Sequence, residues 1–285
     1  PTQLAVFVFG YHGTTQGNIK NLVNSSGVVA TDSTGVGTGK SAAGGVNYGG
    51  DKAISAYSTL GGSNLISNSG VVSTDVTTVG TAGGKPGATP YGNTGQAIFA
   101  FRGAPATNVS NLVTNVGVIG SDVTGVGTAR FDLGSCGYAT NLTKGIVYGG
   151  YTGSATVNTT NLISDTGIVA SDVSSSGSAR SDVRGASYGG DKGIMIMGYP
   201  NLSTSNLVSN IGVLSADVTG VGTGRTGSAA AEYGGDKALD AYGAVVGSQS
   251  SLKVLISNSG VASADVTGVG TARDAPSAAG YSFTA

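Results

Sequence analysis

The chain has 285 residues and a formal net charge of −1; 51 residues are glycine, 10% are charged, and there is one cysteine, one histidine and no tryptophan. One cysteine excludes a disulfide framework and, with a single histidine, a Cys/His zinc site, and near-neutrality excludes the basic field that holds nucleic acid. Glycine without a strict triplet period excludes collagen, no apolar run reaches the ~20 residues of a membrane helix, and a 39% hydrophobic content opposes disorder.

The chain opens at Pro1 on an apolar run, Leu4 to Phe9, that reads as a strand. Basic residues before it and a small-residue cleavage site after it are missing, so no secretory signal is expected. A loop, Gly10 to Lys20, carries Tyr11 and His12. Asn21-Leu-Val23 reads as the next strand, and Gly27 opens another that ends at Asp32. Gly35-Val-Gly-Thr-Gly-Lys-Ser41 looks like a phosphate loop but fails as one, because Thr34 stands where the glycine six residues before the lysine is required. A strand into Tyr48, a Gly-Gly-Asp-Lys turn and an apolar strand, Ala53 to Tyr57, follow. From there the pattern recurs.

Six copies align on Gly27, Gly70, Gly117, Gly167, Gly212 and Gly260, spaced 43 to 50 residues apart. Five residues later stands an aspartate in every copy: Asp32, Asp75, Asp122, Asp172, Asp217, Asp265. Twenty-one residues after the glycine stands a tyrosine: Tyr48, Tyr91, Tyr138, Tyr188, Tyr233, Tyr281. An Asn-Leu pair followed by Val or Ile precedes each glycine, with Val254-Leu-Ile256 as the one variant. All length variation falls between the tyrosine and that triplet. Paired strands tolerate no one-residue slip, whereas surface loops absorb insertions, so the rigid block is strand and the elastic block is loop. Four short strands per repeat, six times over, predict an all-β fold: a single-domain six-bladed β-propeller of four-stranded blades spanning residues 1–285. The first copy lacks a tyrosine strand and the last has a surplus one, Ser277 to Phe283, so the C-terminal strand is expected to pair into the first blade and close the ring. Gly, Ala and Ser suit the narrow axis of such a fold, and each tyrosine is expected to pack between adjacent sheets.

The six aspartates are expected to accept backbone N–H bonds at strand ends, a structural role favoured over a cation-binding ring. A basic residue follows eight positions later in five copies (Lys40, Arg130, Arg180, Arg225, Arg273) and should pair with an aspartate within or between blades; the sixth copy has Gly83 there, with Lys85 nearby. Cys136 reads as a small buried residue, and His12 as a solvated loop side chain. No catalytic residue, metal site or cofactor is assigned. The variable loops carry Tyr11, His12, Arg102, Tyr151 and Tyr199, which together form a candidate binding face; unconstrained drift is the competing reading of these loops.

The strand order resembles kelch-like propellers, although the kelch tryptophan is missing and the double glycine follows the tyrosine instead of the second strand. The wording of Tyr233–Leu239 and Asn206–Arg225, repeated with small changes, is similar to repeats in virion structural and tail-fibre-like proteins of marine and freshwater bacteriophages. The resemblance implies a non-enzymatic particle component located in the virion, with other virion proteins and host-surface glycan as partners. It implies neither nucleic acid nor a membrane span, and it allows a homo-oligomer. A cellular kelch-like or lectin module is the alternative. An oxidase of the galactose-oxidase kind is disfavoured, because its copper site needs several His, Tyr and Cys ligands.

Overall fold

The computed structural model describes residues 3–103, 105–220 and 222–283. Pro1, whose status as the natural N-terminus the sequence leaves open, lies outside them, as do Ala104 of the third variable loop and Val221. The fold is all-β; the only helical element among the described residues is a three-residue turn, Thr140–Leu142, and no helix is long and apolar enough to cross a membrane.

Six antiparallel sheets of three or four strands follow one another along the chain, with two further short hairpins in the loops, Tyr11–His12 with Thr15–Gln16 and Ala244–Val245 with Ser248–Gln249. Sheet I joins Ser277–Tyr281, Leu4–Val8, Ile19–Val23 and Ser33–Thr34; sheet II joins Gly44–Tyr48, Lys52–Ala56 and Ser63–Ile66. Sheet III joins Gly87–Tyr91, Gln96–Arg102 and Thr107–Val113; sheet IV joins Gly134–Tyr138, Lys144–Tyr148, Thr159–Ile163 and Val173–Ser174. Sheet V joins Arg184–Tyr188, Lys192–Ile196 and Ser205–Val208; sheet VI joins Ala229–Tyr233, Lys237–Ala241 and Lys253–Ile256. The C-terminal strand does pair into the first sheet, with Leu4 opposite Tyr281 and Val8 opposite Ser277.

The expected fourth strands are largely absent as regular elements. Sheets I and IV have a two-residue fourth strand, but it follows the aspartate (Ser33–Thr34, Val173–Ser174); the segment expected to form the strand, from anchor glycine to aspartate, is tied on by isolated bridges such as Val23 to Val29 and Ile66 to Val72. The asparagine of the Asn-Leu pair ties this outer segment to the third strand, in sheets with and without a fourth strand. Asn64 Nδ2 donates to the Ser73 carbonyl at 2.9 Å, and Asn111, Asn161 and Asn206 do the same to Gly120, Ala170 and Ser215. This side-chain bond adds to the backbone bridges that hold the outer segment.

The middle strand of each sheet is buried on both faces, which is why Ala53–Ala56 and Ile194–Ile196 read as continuous apolar runs. The core is not one mass but six clusters, each shared by two consecutive sheets. Tyr57 of sheet II packs with Phe99 of sheet III, and Phe101 of sheet III with Leu133 and Val147 of sheet IV. Phe7 of sheet I meets Tyr242 of sheet VI, ring centroids 5.2 Å apart.

Candidate functional site

Each seam between consecutive sheets is built from the repeated tyrosine, glycine, aspartate and cation. Tyr48 of sheet II lies against Gly117, the anchor glycine beside sheet III, and a Cβ on Gly117 would come within 2.8 Å of the tyrosine Cζ. The same contact joins Tyr91 to Gly167, Tyr138 to Gly212, Tyr188 to Gly260, Tyr233 to Gly27 and Tyr281 to Gly70. These anchor glycines also hold φ between 74° and 84°. Any side chain there meets both an aromatic ring and an unfavourable backbone. The tyrosines are buried, which pushes their hydroxyls upward, that of Tyr281 to about 12.

The aspartates accept backbone N–H bonds, as expected, but from the preceding repeat rather than from their own turn. Thr38 N–H donates to Asp75 Oδ2 at 2.8 Å; Thr81 serves Asp122, Thr128 serves Asp172, Ser178 serves Asp217, Thr223 serves Asp265, and Thr271 serves Asp32. The cations likewise pair across repeats: Lys40 with Asp75 at 2.9 Å, Arg180 with Asp217 at 3.4 Å, Arg225 with Asp265 at 3.4 Å. Several cations also lie over an aromatic ring of the sheet before, as Arg130 does over Phe101 and Arg273 over Tyr242. Burial alone would raise these carboxyls. Hydrogen bonds from the threonine or serine and from the asparagine, together with the facing cation, overcome it and hold Asp32, Asp75, Asp122, Asp172 and Asp217 below their ordinary range.

Arg102 is a correction. It does not belong to an exposed binding face: it is fully buried, its Nη2 donates to Asn111 Oδ1 at 2.6 Å and Asp122 Oδ1 at 3.1 Å, and its guanidinium lies 4.1 Å from the Tyr57 ring centroid. It fills the seam that Gly83 leaves without a cation, reaching it from the end of a middle strand. Lys85 instead pairs with Asp132.

Tyr11, Tyr151 and Tyr199 occupy equivalent positions in sheets I, IV and V, each bridged to the segment entering an innermost strand (Asp274, Phe131 and Ser181). Each lies in the loop that follows a middle strand, Tyr11 in a short hairpin of its own and Tyr151 and Tyr199 in isolated bridges. Tyr199 is well exposed, Tyr151 is half-buried edge-on to Phe131, and His12 is half-buried in a small hairpin with Thr15. Cys136 is buried, and burial raises its thiol far above the ordinary value. Neighbouring variable loops touch: Gln249 donates to the Tyr11 carbonyl, Gln16 to Thr59, and the Val246 N–H to Asn201.

Where the chain enters the innermost strands, one residue per repeat holds a left-handed conformation: Ala42, Lys85, Asp132, Asp182, Gly227 and Ala275. Ala42 N–H donates to the Ala275 carbonyl, Lys85 to Ala42, Asp132 to Lys85, Asp182 to Asp132, and Ala275 to Gly227. The sixth link is a side chain, with Gly227 N–H donating to Asp182 Oδ2 at 2.7 Å. Beside these residues opens a cavity of about 320 Å³ on the side of the variable loops, with Lys85, Asp182, Arg184 and Asp274 in its wall. Below it, Glu232 projects into a narrow passage; burial raises its carboxyl to about 7 against hydrogen bonds from Ser187.

No protein-family model matches the chain, and no curated protein matches it. The charges around the cavity are therefore read from geometry alone. Sequence reasoning missed Asp132, Asp182, Arg184, Asp240, Asp274 and Glu232. One signal was available: six residues before the repeated tyrosine stand Lys85, Asp132 and Asp182, where the other copies carry Ala or Gly. Among the described residues no group of three or more His, Cys, Asp or Glu side chains is arranged to hold a metal ion.

Proposed function

We propose that the six sheets are the blades of a closed six-bladed propeller, and that the chain is a non-enzymatic structural and recognition scaffold of a bacteriophage particle. The observation that carries the ring is the set of six hydrogen bonds through residues 42, 85, 132, 182, 227 and 275, which returns to its first member. A linear stack has no reason to bond its last unit to its first. The scaffold role is supported by the repeated charges, which are spent on the seams between sheets, while the exposed variation is confined to loops on one side. The phage setting rests on the wording of the repeats, and so does host-surface glycan as the ligand of the loop face.

Two experiments test this reading. Solution scattering of a closed, compact chain of 285 residues should give a radius of gyration of about 19 Å; a markedly larger value refutes the ring. Mass spectrometry of purified virus particles should find the chain at stoichiometric abundance, and its absence from particles favours the cellular lectin-like module.

A further inference from the structure

We propose that the axial cavity on the loop side binds a small hydroxylated organic cation, of which an amino sugar is the type. Its wall carries two cations, Lys85 and Arg184, and two carboxylates, Asp182 and Asp274, and the two cations are already committed. Lys85 Nζ lies 2.5 Å from Asp132 Oδ2, and Arg184 pairs with Asp182. Asp274 is left over. Among the described residues no cation pairs with its carboxylate, whose nearest side-chain partner is the neutral amide of Gln249 at 3.4 Å. Burial and the neighbouring charge of Asp182 raise its carboxyl and outweigh the hydrogen bond from Gln249 and the more distant charge of Lys85.

A second, independent feature points to a ligand. Ser277 is 2% exposed and lines the cavity, yet its Oγ has no hydrogen-bond partner among the described residues. An unsatisfied buried hydroxyl carries a desolvation cost that a ligand hydroxyl would remove. Tyr11 borders the same cavity and offers an aromatic face to a sugar ring or an ammonium group. At about 320 Å³ the cavity stands at the small end of ligand sites, which favours one compact residue over an oligosaccharide. The arrangement is one carboxylate for the ammonium, one hydroxyl for hydrogen bonding and one aromatic wall.

The proposal deepens the recognition reading and rests on the closed ring, since only a closed arrangement encloses the cavity. The scattering experiment above separates failure of the ring from failure of the site. Calorimetric titration of the intact chain with glucosamine, N-acetylglucosamine and glucose tests it. Glucosamine should bind about tenfold or more tightly than either neutral sugar. Asp274→Asn should abolish that preference, and Ser277→Ala should weaken glucosamine severalfold without changing the preference. Equal binding of the charged and neutral sugars, an unchanged preference in Asp274→Asn, or no glucosamine binding up to about 10 mM overturns the proposal. Tighter binding of inorganic phosphate overturns it as well, by showing that the wall's cations are free.

Discussion

Asp240 stands directly across the ladder from Val254, at the register where every other sheet has an asparagine on the outer strand: Phe7 faces Asn21, Ser55 faces Asn64, and Val147 faces Asn161. In sheet VI the polar group has moved to the opposite strand. Arg225, which lacks an asparagine oxygen, is met by Asp240 Oδ1 at 2.5 Å in a fully buried pair, and Ser228 donates to the other carboxylate oxygen. Asp240→Val alone should cost about 3–5 kcal/mol, because it strands a buried guanidinium. Adding Val254→Asn should restore more than half of the loss by recreating the pairing of sheet IV. Chemical denaturation measures both, and a double variant no more stable than the single one would show that the two arrangements are not equivalent.

Arg102 is expected to behave as a seam cation. Arg102→Ala should lose about 3–5 kcal/mol, as should Arg130→Ala, because each leaves its aspartate and asparagine without their buried partner. Lys85→Ala, whose side chain is 41% exposed, should cost much less. Thermal melts of the three variants rank them; a mild Arg102→Ala would return that residue to the surface.

The tyrosine–glycine contact predicts an energetic coupling between residues of different sheets. Gly117→Ala should destabilise by about 1–3 kcal/mol, from its φ of 84° and the overlap with Tyr48. In a Tyr48→Leu background the overlap is relieved and only the backbone part remains. Additive losses across that double-mutant cycle would contradict the contact.

Glu232 and the seam aspartates act at opposite ends of the pH range. The folded chain holds Glu232 at about 7 against an ordinary 4.5, so it binds that proton more tightly than the unfolded chain does. Its contribution is fully present below pH 4.5 and is lost as pH rises through about 7. Glu232→Gln should therefore raise stability by about 1–3 kcal/mol at pH 8 and change little at pH 5. A gain equal at both pH values would mean that the carboxyl is ordinarily ionised.

The depressed aspartates have the opposite sign. Their stabilisation is present above the ordinary value of 3.8 and disappears as pH falls below it through their folded values. The wild-type midpoint should rise from pH 7 to about 5 as Glu232 takes up its proton, and drop steeply below about 4 as the aspartates take up theirs. Asp75→Asn should flatten that drop.

Spacing alone made the repeat, the strand pairs and the partnership of the C-terminal strand with Leu4–Val8 legible. Within the fixed interval from Gly27 to Tyr48, however, only Ser33–Thr34 and Gly44–Tyr48 are strand; the rest keeps its length because Gly27, Asp32 and Thr38 each bond or pack against another repeat. The seams were half legible: the aspartate and the cation stood in fixed register, but their partnership crosses from one repeat to the next, and periodicity does not report which neighbour is touched. Arg102 was misplaced because it lies in a loop by composition and in a seam by geometry. The irregular outer segment was hidden because single bridges and the Asn64 side chain hold it in place of a continuous ladder. The axial charges escaped because they break the repeat, and attention to what recurs passes over what does not.

The replacement of the Gly83 position by Arg102 has a consequence for how such a chain can change. Each repeat supplies half of two junctions, giving its threonine and cation forward and its aspartate backward. A repeat copied or swapped alone would bring mismatched halves to both sides, as would happen if the Gly83 copy were placed before a neighbour lacking an arginine at the Arg102 position. Viable recombination should break inside a sheet, at a variable loop, and carry both halves of a junction together. The inherited module is the interface between two sheets, and the sequence repeat is only its shadow.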